Sequence, residues 1–162
     1  MEERNCSIWW CRRDLRLQDN PALRAAAETS QHLLPVYCLD PRDLREPRHF
    51  RASPATKSLQ PLPHAKIPKL GPWRCRFLLE ALTSLRTGMR AAGSDLMMRT
   101  GLPEIEIPSL VQQLATCGQV KHIELHFSCD LLSDSATLEE AVMSEVLASA
   151  TAAGLTCSIH QH

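Results

Sequence analysis

Apolar residues along this chain cluster in short runs separated by longer amphipathic stretches, and the two kinds alternate from end to end. The runs are CSIWWC at 6–11, HLLPVYCLD at 32–40, DLMMR at 95–99, VKHIELHF at 120–127 and LTCSIH at 155–160. Runs of this length bounded by charge or turn residues predict five strands, and the most apolar of them read as strands covered on both faces. Pro35 within the second run predicts the start of that strand or an irregular edge, because proline cannot donate to a ladder. Helical patterns fill the intervals at 21–29, 73–92, 103–116 and 136–153. Asp19 or Asn20 is placed to cap the first helix ahead of Pro21, and Gly93, Gly118 and Gly154 stand just past the ends of the other three. Alternating strands and helices imply parallel strands joined by right-handed crossovers. The predicted fold class is α/β, a Rossmann-like three-layer sandwich with a five-stranded parallel sheet.

One segment breaks the alternation. Residues 45–70, REPRHFRASPATKSLQPLPHAKIPKL, carry five prolines and six Arg/Lys, which predicts a long loop or insertion rather than a helix or core strand. At 162 residues the chain is expected to form one domain over 1–162, and 44% apolar with 22% charged residues is ordinary for a globular protein. No apolar run approaches a membrane span, and MEERNCS resembles neither a secretory signal nor a transit peptide, so an intracellular protein without a visible targeting signal is expected. Seven cysteines at 6, 11, 38, 75, 117, 129 and 157 include no Cys-x-x-Cys, which argues for buried free thiols over zinc or redox chemistry. Formal charge is zero in total but divides into +7 over residues 1–99 and −7 over 100–162. Such a division would steer an anionic partner to the first half, although solvated faces also segregate charge without consequence.

Ligands of open α/β sheets bind beyond the carboxyl ends of the strands. Arg12, Arg13, Asp14 and Arg16 follow the first strand, and Asp40 and Arg42 follow the second. No Gly-x-Gly-x-x-Gly and no P-loop is present, so this crevice is built from side-chain charge where nucleotide folds use bare backbone. Arginines there suit an anionic ligand held in bidentate fashion, and a local Asp14–Arg16 ion pair that fixes the loop is the alternative.

WCRRDLRLQDNPAL at 10–23 resembles the first strand and loop of the amino-terminal α/β domain of the DNA photolyase and cryptochrome family. PVYCLDPR at 35–42 is similar to that family's second strand and turn. IPKLGPWRCRFLLEAL at 67–82 carries the Pro-Lys-x-Gly and Phe-Leu-Leu-Glu elements of DASH-type cryptochromes, and GSDLMMRTGLPEIEIPSLV at 93–111 continues the likeness. The resemblance covers roughly residues 6–160 and implies a domain that in some members carries a light-harvesting antenna pigment. The positions matching contacts of a flavin or deazaflavin pigment are Arg13, Tyr37 and Asp40. The family's folate-contacting turn after strand four contains a glutamate, whereas HFSCDLLSDS at 126–135 offers Asp130 as the nearest equivalent, so folate is the less expected pigment. The family's helical domain, which binds FAD and meets damaged DNA, has no counterpart within these residues.

The resemblance therefore implies an antenna-type domain, a fragment or truncated form, whose longer relatives act in blue-light-dependent DNA repair or photoreception. No catalytic residue is expected in it, nor FAD binding, photorepair or tight DNA binding by the chain alone. Its expected partners are the flavin-binding helical domain, with DNA reached only through that domain, or a second copy meeting an uncovered apolar face. The alternative is a flavin- or nucleotide-binding or regulatory partner-binding module without photochemistry. Trp9, Trp10 and Trp73 read as core or interface aromatics. His122 with His126, and His160 with His162, each share a strand face as metal ligands would, but no Cys or carboxylate spacing of a known type accompanies them and no metal is expected.

Overall fold

The computed structural model describes residues 4–44, 70–130 and 133–162. The chain runs β1 (Arg4–Cys11), α1 (Pro21–Thr29), β2 (His32–Leu39), the single turn α2 (Pro41–Leu44), α3 (Pro72–Ala91), β3 (Met97–Thr100), α4 (Pro103–Thr116), β4 (Val120–Phe127), α5 (Ser133–Ala152) and β5 (Thr156–Gln161). All five strands pair in parallel in the order β3-β2-β1-β4-β5. The predicted α/β sandwich with a five-stranded parallel sheet is thus the observed one. The expected insertion at 45–70 lies outside the described residues except for Leu70, whose N–H donates to the Asp43 carbonyl at 2.9 Å. The flanks of the insertion therefore meet beside α2.

β1 occupies the centre of the sheet, and its alternation distributes two cores. Cys6, Ile8 and Trp10 face α4 and α5, where they join Ile107, Leu110, Val111, Val142 and Val146. Trp9 and Cys11 face the other way, toward Ala22 and Ala26 of α1 and Leu82, Leu85 and Met89 of α3. Adjacent tryptophans in one strand necessarily point to opposite faces. Both are buried, whereas Trp73 is 82% exposed and stands one turn from the exposed Phe77 on α3.

Pro35 sits inside β2 opposite Trp9 of β1, but β3 joins β2 only from Val36 onward, so the proline lies where one flank has no strand. The edge that its presence predicts is therefore local. Gly118 and Gly154 adopt φ of +66° and +70° as they stop α4 and α5, a conformation in which a Cβ would be strained.

Of the two candidate caps for α1, Asn20 serves. Its side-chain oxygen accepts from the Leu23 N–H at 3.0 Å, and its Nδ2 donates to the carbonyls of Arg16 at 3.1 Å and Asp14 at 3.4 Å. One buried side chain thus starts the helix and pins the charged loop before it. Asn20→Ala is expected to destabilise the fold by about 1–2 kcal/mol, since it removes the cap and strands loop carbonyls, and urea unfolding measures this.

Tyr37, the sole tyrosine of the chain, reports on the α1/α3 core. Burial, with the nearby Asp43 and Asp40 carboxylates adding to it, pushes its phenol up to about 12, and burial pushes the Cys6 and Cys38 thiols up to about 11 and about 12. For Tyr37 the folded state keeps the proton that the unfolded chain releases near pH 10. This contribution to stability is complete below pH 10 and is lost as the pH climbs toward 12. Tyrosinate absorbance should therefore rise near pH 12 together with unfolding; a separate rise at pH 10 would place the ring in solvent.

Candidate functional site

The strand order reverses at β1: β2 and β3 extend the sheet on one side, and β4 and β5 extend it on the other. The gap beyond the carboxyl ends of β1 and β4 is the topological switch point at which such sheets bind ligands. The chain fills that rim with charge. Arg12 continues the face of Trp10, with its guanidinium 4.8 Å from the indole ring, and its Nη1 donates to the Glu139 carboxylate of α5 and to the Ser128 carbonyl at 3.5 Å. Glu139 also accepts the Asp130 backbone N–H at 3.1 Å. One carboxylate therefore ties the loop after β1 to the loop after β4.

Arg13 reaches the same loop after β4, and its Nε lies 3.0 Å from Asp130 Oδ2. Asp130 is anchored by the Ser135 hydroxyl at 2.9 Å, at the start of α5. The pair is asymmetric: the Arg13 side chain is 68% exposed and that of Asp130 is 18% exposed. An exposed cation is thus held over a half-buried acid. Arg16 pairs locally with Asp14 at 2.8 Å, so the loop-fixing alternative describes that arginine.

A second group stands beyond β2. Asp40 accepts the Arg42 backbone N–H at 2.8 Å and the Arg42 Nε at 2.9 and 2.7 Å, while Arg42 Nη1 and Nη2 reach the two oxygens of Glu104 at 3.0 and 2.9 Å. Burial opposes the charge on Arg42, yet the Asp40 and Glu104 carboxylates overcome it and hold the guanidinium above its ordinary range. The Glu104 side chain is only 1% exposed. Glu104 lies in the first turn of α4, where a carboxylate also suits the helix dipole.

The four predicted site residues therefore divide. Arg13 and Asp130 meet across the switch point, Asp40 belongs to the Arg42–Glu104 group, and Tyr37 buries its ring in the α1/α3 core. The sequence reading missed Glu104 and Glu139. Their signals are modest: an acid immediately after a helix-opening Pro103, and a carboxylate on the buried side of α5.

Removing Arg42 would take from two desolvated carboxylates the guanidinium that bridges them. Arg42→Ala is expected to destabilise the fold by about 3–5 kcal/mol, much more than Arg16→Ala at its exposed pair, as read by denaturant midpoints of the two variants.

Comparison with known proteins agrees with this architecture. The DNA photolyase family model matches residues 7–161. A cryptochrome DASH from Gloeobacter violaceus is 36% identical over 141 residues, covering 83% of this chain and 25% of that protein. The crystal structure of a Synechocystis sp. PCC6803 cryptochrome superposes with a TM-score of 0.68 at 23% identity, covering 99% of this chain and 28% of the other. An archaeal photolyase from Sulfolobus tokodaii, solved with two FAD molecules, gives a TM-score of 0.61 at 22% identity over 96% of this chain and 29% of that one. The chain thus spans between a quarter and three tenths of the length of each. By the reach of the family match and the shared strand architecture, the chain belongs to the DNA photolyase family and corresponds to the amino-terminal α/β domain of its photolyases and cryptochromes.

Proposed function

We propose that this chain is an antenna-type domain, holding an accessory light-absorbing pigment at the carboxyl ends of β1, β2 and β4 for use by a flavin-binding domain of a longer protein. The observation that carries the reading is the exposed Arg13 guanidinium poised over Asp130 at the switch point, on a rim whose Arg12 and Arg42 are locked in buried pairs. A ligand anion replaces Asp130 as the partner of Arg13 without disturbing Arg12–Glu139 or Arg42–Glu104. The rigid pairs set the walls, and the exposed arginine supplies the grip.

The donor set fits a planar anionic pigment of the flavin or deazaflavin class. Arg13 offers a fork to a phosphate or ring carbonyl, Asp130 and Asp40 accept from ring or ribityl donors, and Tyr37 backs the pocket from the core. A second FAD in the Sulfolobus tokodaii photolyase, described as implying a novel light-harvesting cofactor, supports a flavin in this role within the family. Folate is second to it, because the turn after β4 offers Asp130 where a glutamate is the family's contact. The pigment supplies the absorption, and the protein contributes binding and orientation. Blue-light repair or signalling belongs to the whole protein, through FAD and through DNA contacts of its helical domain.

Titration of flavin mononucleotide and of a deazaflavin into the purified chain, followed by ligand fluorescence, tests this. Saturable binding weakened about 10- to 100-fold in Arg13→Ala is expected, the span of a charged hydrogen bond worth about 1.5–3 kcal/mol. Arg90→Ala should bind as the wild type does, since Arg90 pairs with Asp95 at the far end of α3. No saturable binding of either pigment, or equal binding after Arg13→Ala, reduces the charged rim to a structural role.

A further inference from the structure

The sheet face that carries α1 and α3 is apolar across β1 and β2 and changes character at β4. There the side chains on that face are His122, Glu124 and His126, and the register sets Thr156, Ser158 and His160 of β5 beside them. His162 follows on the same face, clamped by two backbone bonds: its N–H donates to the Phe127 carbonyl at 3.0 Å, and its carbonyl accepts the Cys129 N–H at 2.9 Å. The rings of His126 and His160 stack at 4.6 Å, and those of His126 and His162 at 5.5 Å. Packing several imidazoles and a carboxylate on one patch is unfavourable whenever the imidazoles are charged together, and a shared cation gives their convergence a purpose.

We propose that Glu124, His126 and His160 form a binding site for a divalent transition-metal ion of the zinc class on the β4–β5 face. One ligand atom from each lies within 4.8 Å of the other two, and His126 Nε2 is 3.2 Å from Glu124 Oε2. Ligands about 2.0–2.2 Å from a tetrahedral zinc stand roughly 3.3–3.5 Å apart, so the His126–Glu124 edge is already set. His160 is exposed and closes the triangle by rotating out of its stack on His126, and the fourth position falls to water.

The surroundings are those of an oriented site. His126 is buried, and its Nδ1 lies 3.2 Å from His162 Nε2; a proton held there by His126 leaves the Nε2 lone pair for the metal. Glu124 is steered by the Ser7 hydroxyl at 3.2 Å and by the Thr29 hydroxyl of α1. Two imidazoles and one carboxylate suit zinc, with nickel and copper as competitors of the same ligand preference. None of the three ligands is among the rim residues of the pigment reading, Arg13, Asp130, Asp40 and Tyr37, so the two readings are tested separately.

Calorimetric titration of the metal-free chain with Zn²⁺ is expected to show one site, weakened at least tenfold in His160→Ala. Because His160 is exposed, that variant should keep the wild-type circular dichroism and unfolding midpoint without metal, and zinc should raise the midpoint of the wild type alone. Co²⁺ in place of zinc should give the intense visible bands of four-coordinate nitrogen and oxygen ligation. A Cys117→Ser, Cys129→Ser double variant should bind as the wild type does. The absence of saturable zinc binding, undiminished binding in His160→Ala, or a thiolate-to-cobalt charge-transfer band lost in the double variant would each overturn the proposal.

Discussion

Everything in this fold is referred to β1, the one strand that must be dry on both faces and yet end in two arginines. Its apolar alternation puts Trp10 into the α4/α5 core and Trp9 into the α1/α3 core, and each indole removes a large apolar surface from water. With both faces committed, a slip of one residue would put each tryptophan into the core shaped around the other, so the register is strongly specified. That register decides where Cys11 ends and the charges begin. Arg12 therefore reaches Glu139 of α5 beside Trp10, and Arg13, more exposed, reaches Asp130 in the loop after β4.

Charge at such a rim is tolerable only when each buried member is paired. Arg12 and Arg42 are each met by carboxylates from another element, Glu139 of α5 and Glu104 of α4, with near-complete desolvation of the acids. Breaking one partner of such a pair is costly even where the pair itself adds little net stability, so these bridges act as specifications of geometry. They lock α4 and α5 to the loops after β2 and β1. The exposed Arg13–Asp130 pair gains little by comparison and exchanges with solvent or an anion at small cost. The contrast between locked and open pairs divides wall from grip in this crevice.

Much of this was legible in the chain. Apolar runs marked all five strands to within about two residues, and that of β1 is nearly unbroken because burial on two faces leaves little room for polar interruption. Glycines marked the helix stops because left-handed caps admit few alternatives. The partners of the arginines were not legible. Glu104 and Glu139 lie 62 and 127 residues from Arg42 and Arg12, and nothing local distinguishes a carboxylate that will be buried from one that will be solvated. The family resemblance put Tyr37 among the expected pigment contacts, but its place on the inward face of β2 buries the ring in the α1/α3 core.

The histidines illustrate the same limit from the other side. Along the sequence, His122 and His126 visibly share a face, yet the carboxylate between them draws no notice because helical metal motifs space their ligands differently. In a strand the period is two, so Glu124 stands on the same face as both histidines. Whether His160 then joins them depends on the register of β5 against β4, which is set by Cys157 and Ile159 entering the α4/α5 core on the opposite face. Apolar packing on one side of the sheet thus aligns polar chemistry on the other. A core substitution that shifted β5 by one residue would exchange His160 for Ile159 on the histidine face and put an imidazole into the core, so packing on one face constrains function on the other.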